Sequence, residues 1–264
     1  MPFYGFAVSV KGASHEKNGT PCQDSARVYI EKDFAVAAVA DGHGSERHFR
    51  SDCGSEMATR VAIRSITDFR ERNGGLAEIL RENPENAARR IAANIICCWN
   101  HETAAHLNFL PLTPTEQALC DKYGGIKTEA IYGSTLILAY LERDFCFGLQ
   151  IGDGSFTMNT HGITAMPMPT DERLVGNRTT SLCDSDAIGG FRHFLYNGQA
   201  DGVALSSDGL INSFLSIDDF ISFSGRNTSY SGNTADLAEH LRRRSETGSS
   251  DDISFAAVSF REKE

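Results

Sequence analysis

Phe34-Ala35-Val36-Ala37-Ala38-Val39-Ala40-Asp41-Gly42-His43-Gly44 is the stretch on which the fold turns. Seven apolar residues run without a polar interruption, then stop at an acid, a glycine and a histidine. So short a run without alternation predicts a strand buried on both faces. Upstream, Phe3 to Val10 and Ser25 to Ile30 read as strands, the second joined to the run by the charged turn Glu31-Lys32-Asp33. Downstream the period changes. Phe49, Cys53, Met57 and Val61 recur every fourth residue, with Ala62, Ile66 and Phe69 on an adjoining face. That pattern predicts an amphipathic helix, ended by Asn73-Gly74-Gly75.

A second long helix is predicted from Asn83-Pro84, with Asn as N-cap and Ala88, Ile91, Ile95, Cys98 and Trp99 as its buried stripe. Thr113 and Glu116 have capping-box spacing and open a third, stopped by Gly124-Gly125. The period then returns to two. Ile131 to Leu141 and Phe145 to Ile151 read as strands, and the dipeptides Asp153-Gly154 and His161-Gly162 as hairpin signals around Phe156 to Thr160. Met166 to Asn197 has no clear period and reads as an irregular excursion with short elements. Val203 to Ser206 and Ile253 to Phe260 are further strands, with helices at Ser216 to Phe223 and Thr234 to Arg243 between them. Strands and helices do not alternate one for one, so the expectation is an α+β chain: mainly antiparallel sheet with helices on its outer faces. No repeat or linker divides it, and a single domain over 1–264 is expected.

The chain has 264 residues, of which 41% are hydrophobic and 23% charged, as in globular proteins. Its formal charge of -10, with no basic stripe beyond Arg242-Arg243-Arg244, argues against nucleic-acid binding. The longest apolar run is far too short to span a bilayer, and the N-terminus lacks the pattern of a signal peptide. The seven cysteines are odd in number and include no C-x-x-C, which fits reduced thiols and a cytoplasmic location. Cys97, Cys98 and His101 lie at helical spacing, but the rest of a zinc ligand set is missing.

Five acidic positions fall where predicted strands begin or end. Asp41, Asp153 and Asp208 follow strands and precede a glycine; Asp24 and the pair Asp251-Asp252 come just before strands. In an antiparallel sheet the end of one strand lies beside the start of its neighbour, so these acids are placed to collect at one edge. Each Asp-Gly alone reads as a turn. Carboxylates gathered closely repel one another unless protonated or met by a cation, and oxygen-only ligands suit Mg²⁺ or Mn²⁺.

Pro21-Cys22-Gln23-Asp24-Ser25, Ala40-Asp41-Gly42-His43-Gly44, Tyr132-Gly133-Ser134-Thr135, Ile151-Gly152-Asp153-Gly154, Ser207-Asp208-Gly209 and Asp251-Asp252-Ile253-Ser254 occur in that order over nearly the whole chain. In these pieces the chain resembles the metal-dependent (type 2C) serine/threonine protein phosphatases, in particular their compact bacterial branch. The resemblance implies an αββα sandwich with two metals, Mn²⁺ or Mg²⁺, at one end. It implies that Asp41 bridges the metals, that the Gly42 carbonyl contacts one of them and that Asp208 and Asp251 complete the other's shell. It further implies that Asp24 acts directly or through a water, that Asp153 helps hold a third, weaker metal and that His43 is the general acid. An unperturbed histidine, with a pKa near 6.5, suits that task.

Two departures stand out. Gln23 occupies a position where many relatives carry glutamate. Ser14-His15-Glu16-Lys17-Asn18-Gly19 lacks the arginine that many relatives use to grip the substrate phosphate, leaving His15 or Lys17 as the positive donor. The excursion at 166–197 matches in position the flap that varies most among relatives and is expected to shape substrate choice. The expected activity is hydrolysis of phosphoserine and phosphothreonine in proteins by a metal-activated water, in a monomer opposing a partner serine/threonine kinase. The alternatives are a catalytically weak regulatory or binding module and a hydrolase of small phosphorylated metabolites.

Overall fold

The computed structural model describes residues 2–174, 179–230 and 232–261. In chain order the elements are β1 (Phe3–Val10), α1 (Ala13–Asn18), β2 (Asp24–Ile30), β3 (Phe34–Asp41), α2 (Ser51–Arg72), α3 (Ala77–Glu82) and α4 (Pro84–Phe109). Next come α5 (Pro114–Lys122), α6 (Thr128–Ile131), β4 (Leu136–Glu142), β5 (Phe145–Ile151), β6 (Ser155–Thr160), β7 (Ile163–Ala165) and α7 (Ala187–Gly190). The chain closes with β8 (Arg192–Tyr196), β9 (Gly202–Ser206), α8 (Asp208–Ile211), α9 (Ile217–Asn227), α10 (Thr234–Arg244) and β10 (Ile253–Phe260).

Two five-stranded sheets form, ordered β1-β10-β9-β6-β7 and β2-β3-β4-β5-β8, with every pairing antiparallel. The apolar run at Phe34 is the middle of a sandwich, which explains its lack of alternation. Ala35, Ala37 and Val39 face the other sheet and pack with Val203, Leu205, Ala256 and Val258. Val36, Ala38 and Ala40 face the opposite way and pack with Met57, Val61, Ile91 and Trp99 of α2 and α4. On the outer face of the other sheet, Phe220, Phe223, Leu237 and Leu241 of α9 and α10 cover Ala204, Phe255 and Ala257. The result is an α+β, αββα sandwich.

Local chemistry sets the helix starts. Asn83 accepts from the backbone N–H of Asn86 with Pro84 at the first turn, and Thr113 and Glu116 form a complete capping box. His161 and Gly162 have φ of 50° and 78° and close the tight hairpin between β6 and β7.

Two sequence expectations need correction. The strand expected from Ile131 begins only at Leu136, because Ile131 ends a short helix and Tyr132-Gly133 is a turn. Those residues are apolar for burial against helices, not for strand pairing. Asp153-Gly154 is no hairpin: β5 and β6 lie in different sheets, and Gly152, at φ 106°, turns the chain from one to the other. The excursion at 166–197 holds two short elements, α7 and β8, the second pairing with β5 as an edge strand; its residues 175–178 lie outside the described residues. Among the described residues no helix is long and apolar enough to cross a membrane.

Candidate active site

The strand pairing delivers the acids. Asp24 opens β2 and Asp41 closes β3, directly opposite each other. Asp208 follows β9, and Asp251 precedes β10, the neighbour of β9. Both sheets thus end at the same rim, where a cleft of about 480 Å³ is lined by Asp41, His43, His48, Asp153, Asp208 and Asp251. Asp24 sits beneath this lining, buried.

Glycines permit the close approach. A Cβ on Gly209 would stand 2.1 Å from the Asp252 carbonyl oxygen, and one on Gly42 would stand 2.5 Å from that of Ser51. The backbone of Asp41 is pinned from β4's leading turn. Its N–H donates to Thr135 Oγ1 at 3.1 Å, and its carbonyl accepts from Thr135 N–H at 2.8 Å and from Ser134 Oγ at 3.0 Å. That is the task of the Tyr132-Gly133-Ser134-Thr135 segment.

Burial raises the pKa of Asp24 and Asp41 well above the usual carboxylate range, and mutual repulsion with Asp208 and Asp251 adds to it. Asp208 is raised by burial and by Asp153, and Asp251 by burial. Asp41 and Asp208 lie close enough to act on each other's ionisation. Asp24 Oδ2 is buried without a hydrogen-bond partner.

These features fit a hard divalent cation: an orphaned carboxylate oxygen and acids that repel one another are what such an ion would satisfy. Among the described residues no three His, Cys, Asp or Glu side chains already surround a common point as a ligand set. The carboxylates are tied to neighbours instead, Asp208 to Asn212 Nδ2 at 3.1 Å and Asp251 to the Asp252 N–H at 2.9 Å. Asp153 is exposed at the cleft's edge and brings its charge toward Asp208.

His43 donates its backbone N–H to the Gly133 carbonyl at 3.0 Å, and its Nε2 lies 2.7 Å from Ser181 Oγ. Its ring stands edge-on to His48, centroids 4.8 Å apart. Burial and the neighbouring His48 lower its pKa to about 4, so at neutral pH the ring is uncharged. The sequence suggested an ordinary histidine; packing makes it a less basic one.

His15 and Lys17 do not line the cleft. His15 Nδ1 is bound to Asp252 Oδ2 at 2.9 Å, and Lys17 is exposed on α1. Among the described residues lining the cleft there is no lysine or arginine. Gln23 turns its amide to Ser51 Oγ at 2.7 Å.

Asp252 has no role that the sequence motifs alone imply. Its carboxylate, 3% exposed, accepts from the backbone N–H of Gly12 and of Gln23, each at 2.6 Å, as well as from His15. It thereby anchors the chain just before Asp24. The signal was present in Asp251-Asp252: two adjacent acids ahead of a doubly buried strand point to opposite sides, so one of them must go inside.

The family model for protein phosphatase 2C matches residues 11–243. The chain belongs to the protein phosphatase 2C family. Solved structures share the fold of this protein phosphatase 2C member at low identity. A single-substitution variant of a bacterial serine phosphatase is 13% identical, with 99% of each chain covered and a TM-score of 0.62. The catalytic domain of the serine/threonine phosphatase PstP in complex with two manganese ions is 13% identical, with 98% of this chain and 99% of that one covered and a TM-score of 0.58. PppA, a key regulatory component of T6SS in Pseudomonas aeruginosa, is 15% identical, with 98% of each chain covered and a TM-score of 0.57. No curated protein matches the sequence.

Proposed function

We propose that this chain is a divalent-metal-dependent phosphatase that hydrolyses phosphoserine and phosphothreonine in proteins. The observation that carries the reading is the meeting of Asp24, Asp41, Asp208 and Asp251, from four separate segments, at one rim of the sandwich. Family membership and the two manganese ions held by PstP support it.

In this reading Asp24, Asp41, the Gly42 carbonyl, Asp208 and Asp251 hold two Mn²⁺ or Mg²⁺ ions, and Asp153 contributes to a weaker third site. Bound ions supply an acidified water and a counter-charge for the phosphoryl oxygens. The protein's own part is positional. Thr135 and Ser134 hold Asp41 by its backbone, and Asp252 fixes the approach to Asp24. His43 faces the cleft as the proton donor to the departing seryl or threonyl oxygen. With no lysine or arginine among the described lining residues, the substrate phosphate depends on the ions for most of its charge balance. The cleft is open at the surface, which suits a residue on a polypeptide, and a kinase that writes the phosphate is the natural opponent.

Activity on para-nitrophenyl phosphate and on a phosphoserine peptide with added Mn²⁺ tests the reading. Loss of both activities with EDTA and with Asp208→Asn is expected. An inactive wild type with Mn²⁺ would replace the reading with that of a regulatory module. Faster turnover of small phosphorylated metabolites than of phosphopeptides would move the substrate class.

A further inference from the structure

We infer that the Ser181 hydroxyl is a positioning residue for His43, fixing Nε2–H and leaving Nδ1 as the atom that serves the leaving group. The inference rests on the phosphatase reading above and deepens it.

Ser181 is 2% exposed and belongs to the segment between β7 and α7. Its Oγ lies 3.0 Å from the Ser134 carbonyl oxygen, 3.3 Å from the Cys183 backbone nitrogen, 3.2 Å from Cys183 Sγ and 2.7 Å from His43 Nε2. A hydroxyl has one proton to give. The Ser134 carbonyl can only accept and the Cys183 N–H can only donate, so the proton goes to Ser134. What Oγ then presents to His43 is a lone pair, and Nε2 must carry the hydrogen. In the neutral ring Nδ1 is therefore the acceptor.

Packing keeps the ring from turning over. A Cβ on Gly133 would stand 2.7 Å from His43 Cδ2, so that edge is against the backbone, and His48 stands edge-on beside it. Among the described residues Nδ1 has no hydrogen-bond partner, while His43 lines the cleft with Asp41 and Asp208. Ser181 is itself held: its N–H donates to Asp184 Oδ2 at 2.8 Å, and the N–H of Leu182 donates to the Ser134 carbonyl at 2.9 Å. Ser134 also grips the Asp41 carbonyl. One turn thus sets both the carboxylate and the proton donor in register, and the flap-like segment carries a part of the acid machinery.

In the reaction a water oxygen bonds to phosphorus, and the bond from phosphorus to the seryl oxygen breaks with its electron pair on that oxygen. Nδ1, unprotonated in the resting neutral ring, takes up a proton from solvent as the step proceeds and passes it to that oxygen. The attacking water releases a proton to solvent and the ring returns to its neutral form, giving free serine and hydrogen phosphate.

The test compares wild type, Ser181→Ala and Ser181→Thr, each the full chain with Mn²⁺. A phosphoserine peptide has a poor leaving group, and para-nitrophenyl phosphate has one that needs no proton. With Ser181→Ala, kcat on the peptide should fall by about 10–100-fold, up to the lower end of what a general acid contributes, at little change in KM. On the aryl phosphate it should fall less than about threefold by the same logic. Ser181→Thr, which keeps the hydroxyl, should recover most of the peptide activity. Nitrogen-15 NMR of wild-type His43 should show the Nε2–H tautomer, a readout that needs neither turnover nor a foldable variant. Equal losses on both substrates without rescue by threonine, or an Nδ1–H tautomer in the wild type, would overturn the assignment. A wild type inactive on both substrates but with the Nε2–H tautomer would remove the phosphatase reading while leaving the Ser181–His43 geometry intact.

Discussion

Asp24 and Asp41 stand directly opposite each other across β2 and β3, two acids on a cross-strand pair at the ends of their strands. Like charges so placed destabilise a sheet unless something neutralises them. The fold stores this repulsion at its rim, and a bound cation would release it.

Metal therefore stabilises the folded chain. At a free Mn²⁺ concentration of 100 times its dissociation constant the gain is about 2.7 kcal/mol. Thermal melts should show a higher Tm with Mn²⁺ than with EDTA. Asp41→Asn should leave the EDTA melt unchanged or raised and abolish most of the Mn²⁺ increment. A wild-type melt indifferent to Mn²⁺ would remove the cation from the account.

Stability against pH follows with a definite sign. Asp24, Asp41, Asp208 and Asp251 have folded-state pKa values above their unfolded ones. Their contribution is complete below about pH 3.9 and is lost as pH climbs through the raised values. His43 works the other way: lowered to about 4, it costs stability as pH falls below the unfolded value near 6.5. Four acids outweigh one imidazole. The Tm of EDTA-treated protein should fall from pH 5 to pH 8, and Mn²⁺ should flatten or reverse the slope.

His43→Gln removes the proton donor and keeps a polar side chain. On a phosphoserine peptide kcat should drop by about 100-fold or more, the lower end of general-acid contributions. The loss on para-nitrophenyl phosphate should be several-fold smaller. Steady-state kinetics on both substrates decide it, and parallel losses would assign His43 to structure.

Asp252→Asn exchanges an acceptor-only carboxylate for an amide that must aim N–H at a donor. Hydrogen bonds to a charged group contribute about 1.5–3 kcal/mol each, and at least one is lost. Denaturant titration should show a destabilisation of about 2–4 kcal/mol on that basis. Activity should fall with it, because Gln23 leads into Asp24.

Gly54→Ala sets two effects against each other. Alanine improves helix propensity by about 1 kcal/mol. Its Cβ would stand 1.8 Å from the Tyr132 carbonyl oxygen, where no rotamer gives relief. Overpacking costs about 1–3 kcal/mol or more, and here it meets backbone. The clash prevails, so the Tm should fall, and kcat with it as the 132–135 turn shifts. An unchanged or raised Tm would mean that α2 can slide.

The sequence determined on its own what depends on neighbours along the chain. The doubly buried run at Phe34, the fourfold period from Phe49, the caps at Asn83 and Thr113 and the hairpin at His161-Gly162 are local matters of periodicity, backbone freedom and orphan N–H groups. The conspicuous acids were visible as well, because Asp-Gly at strand ends stands out. What tertiary structure alone decided is whatever requires distant backbones to meet. Apolar Ile131 and Tyr132 could not announce that they serve a turn; Asp153-Gly154 could not announce that it joins two sheets. Nothing in the spacing of Ser181, Asp252 and His15 shows that one grips His43 and the other two grip each other. Their partners are more than a hundred residues away, and a hydrogen bond between distant segments leaves no periodic trace in sequence. The depressed basicity of His43 arises likewise from packing against Gly133 and His48, a burial that only the assembled sandwich provides.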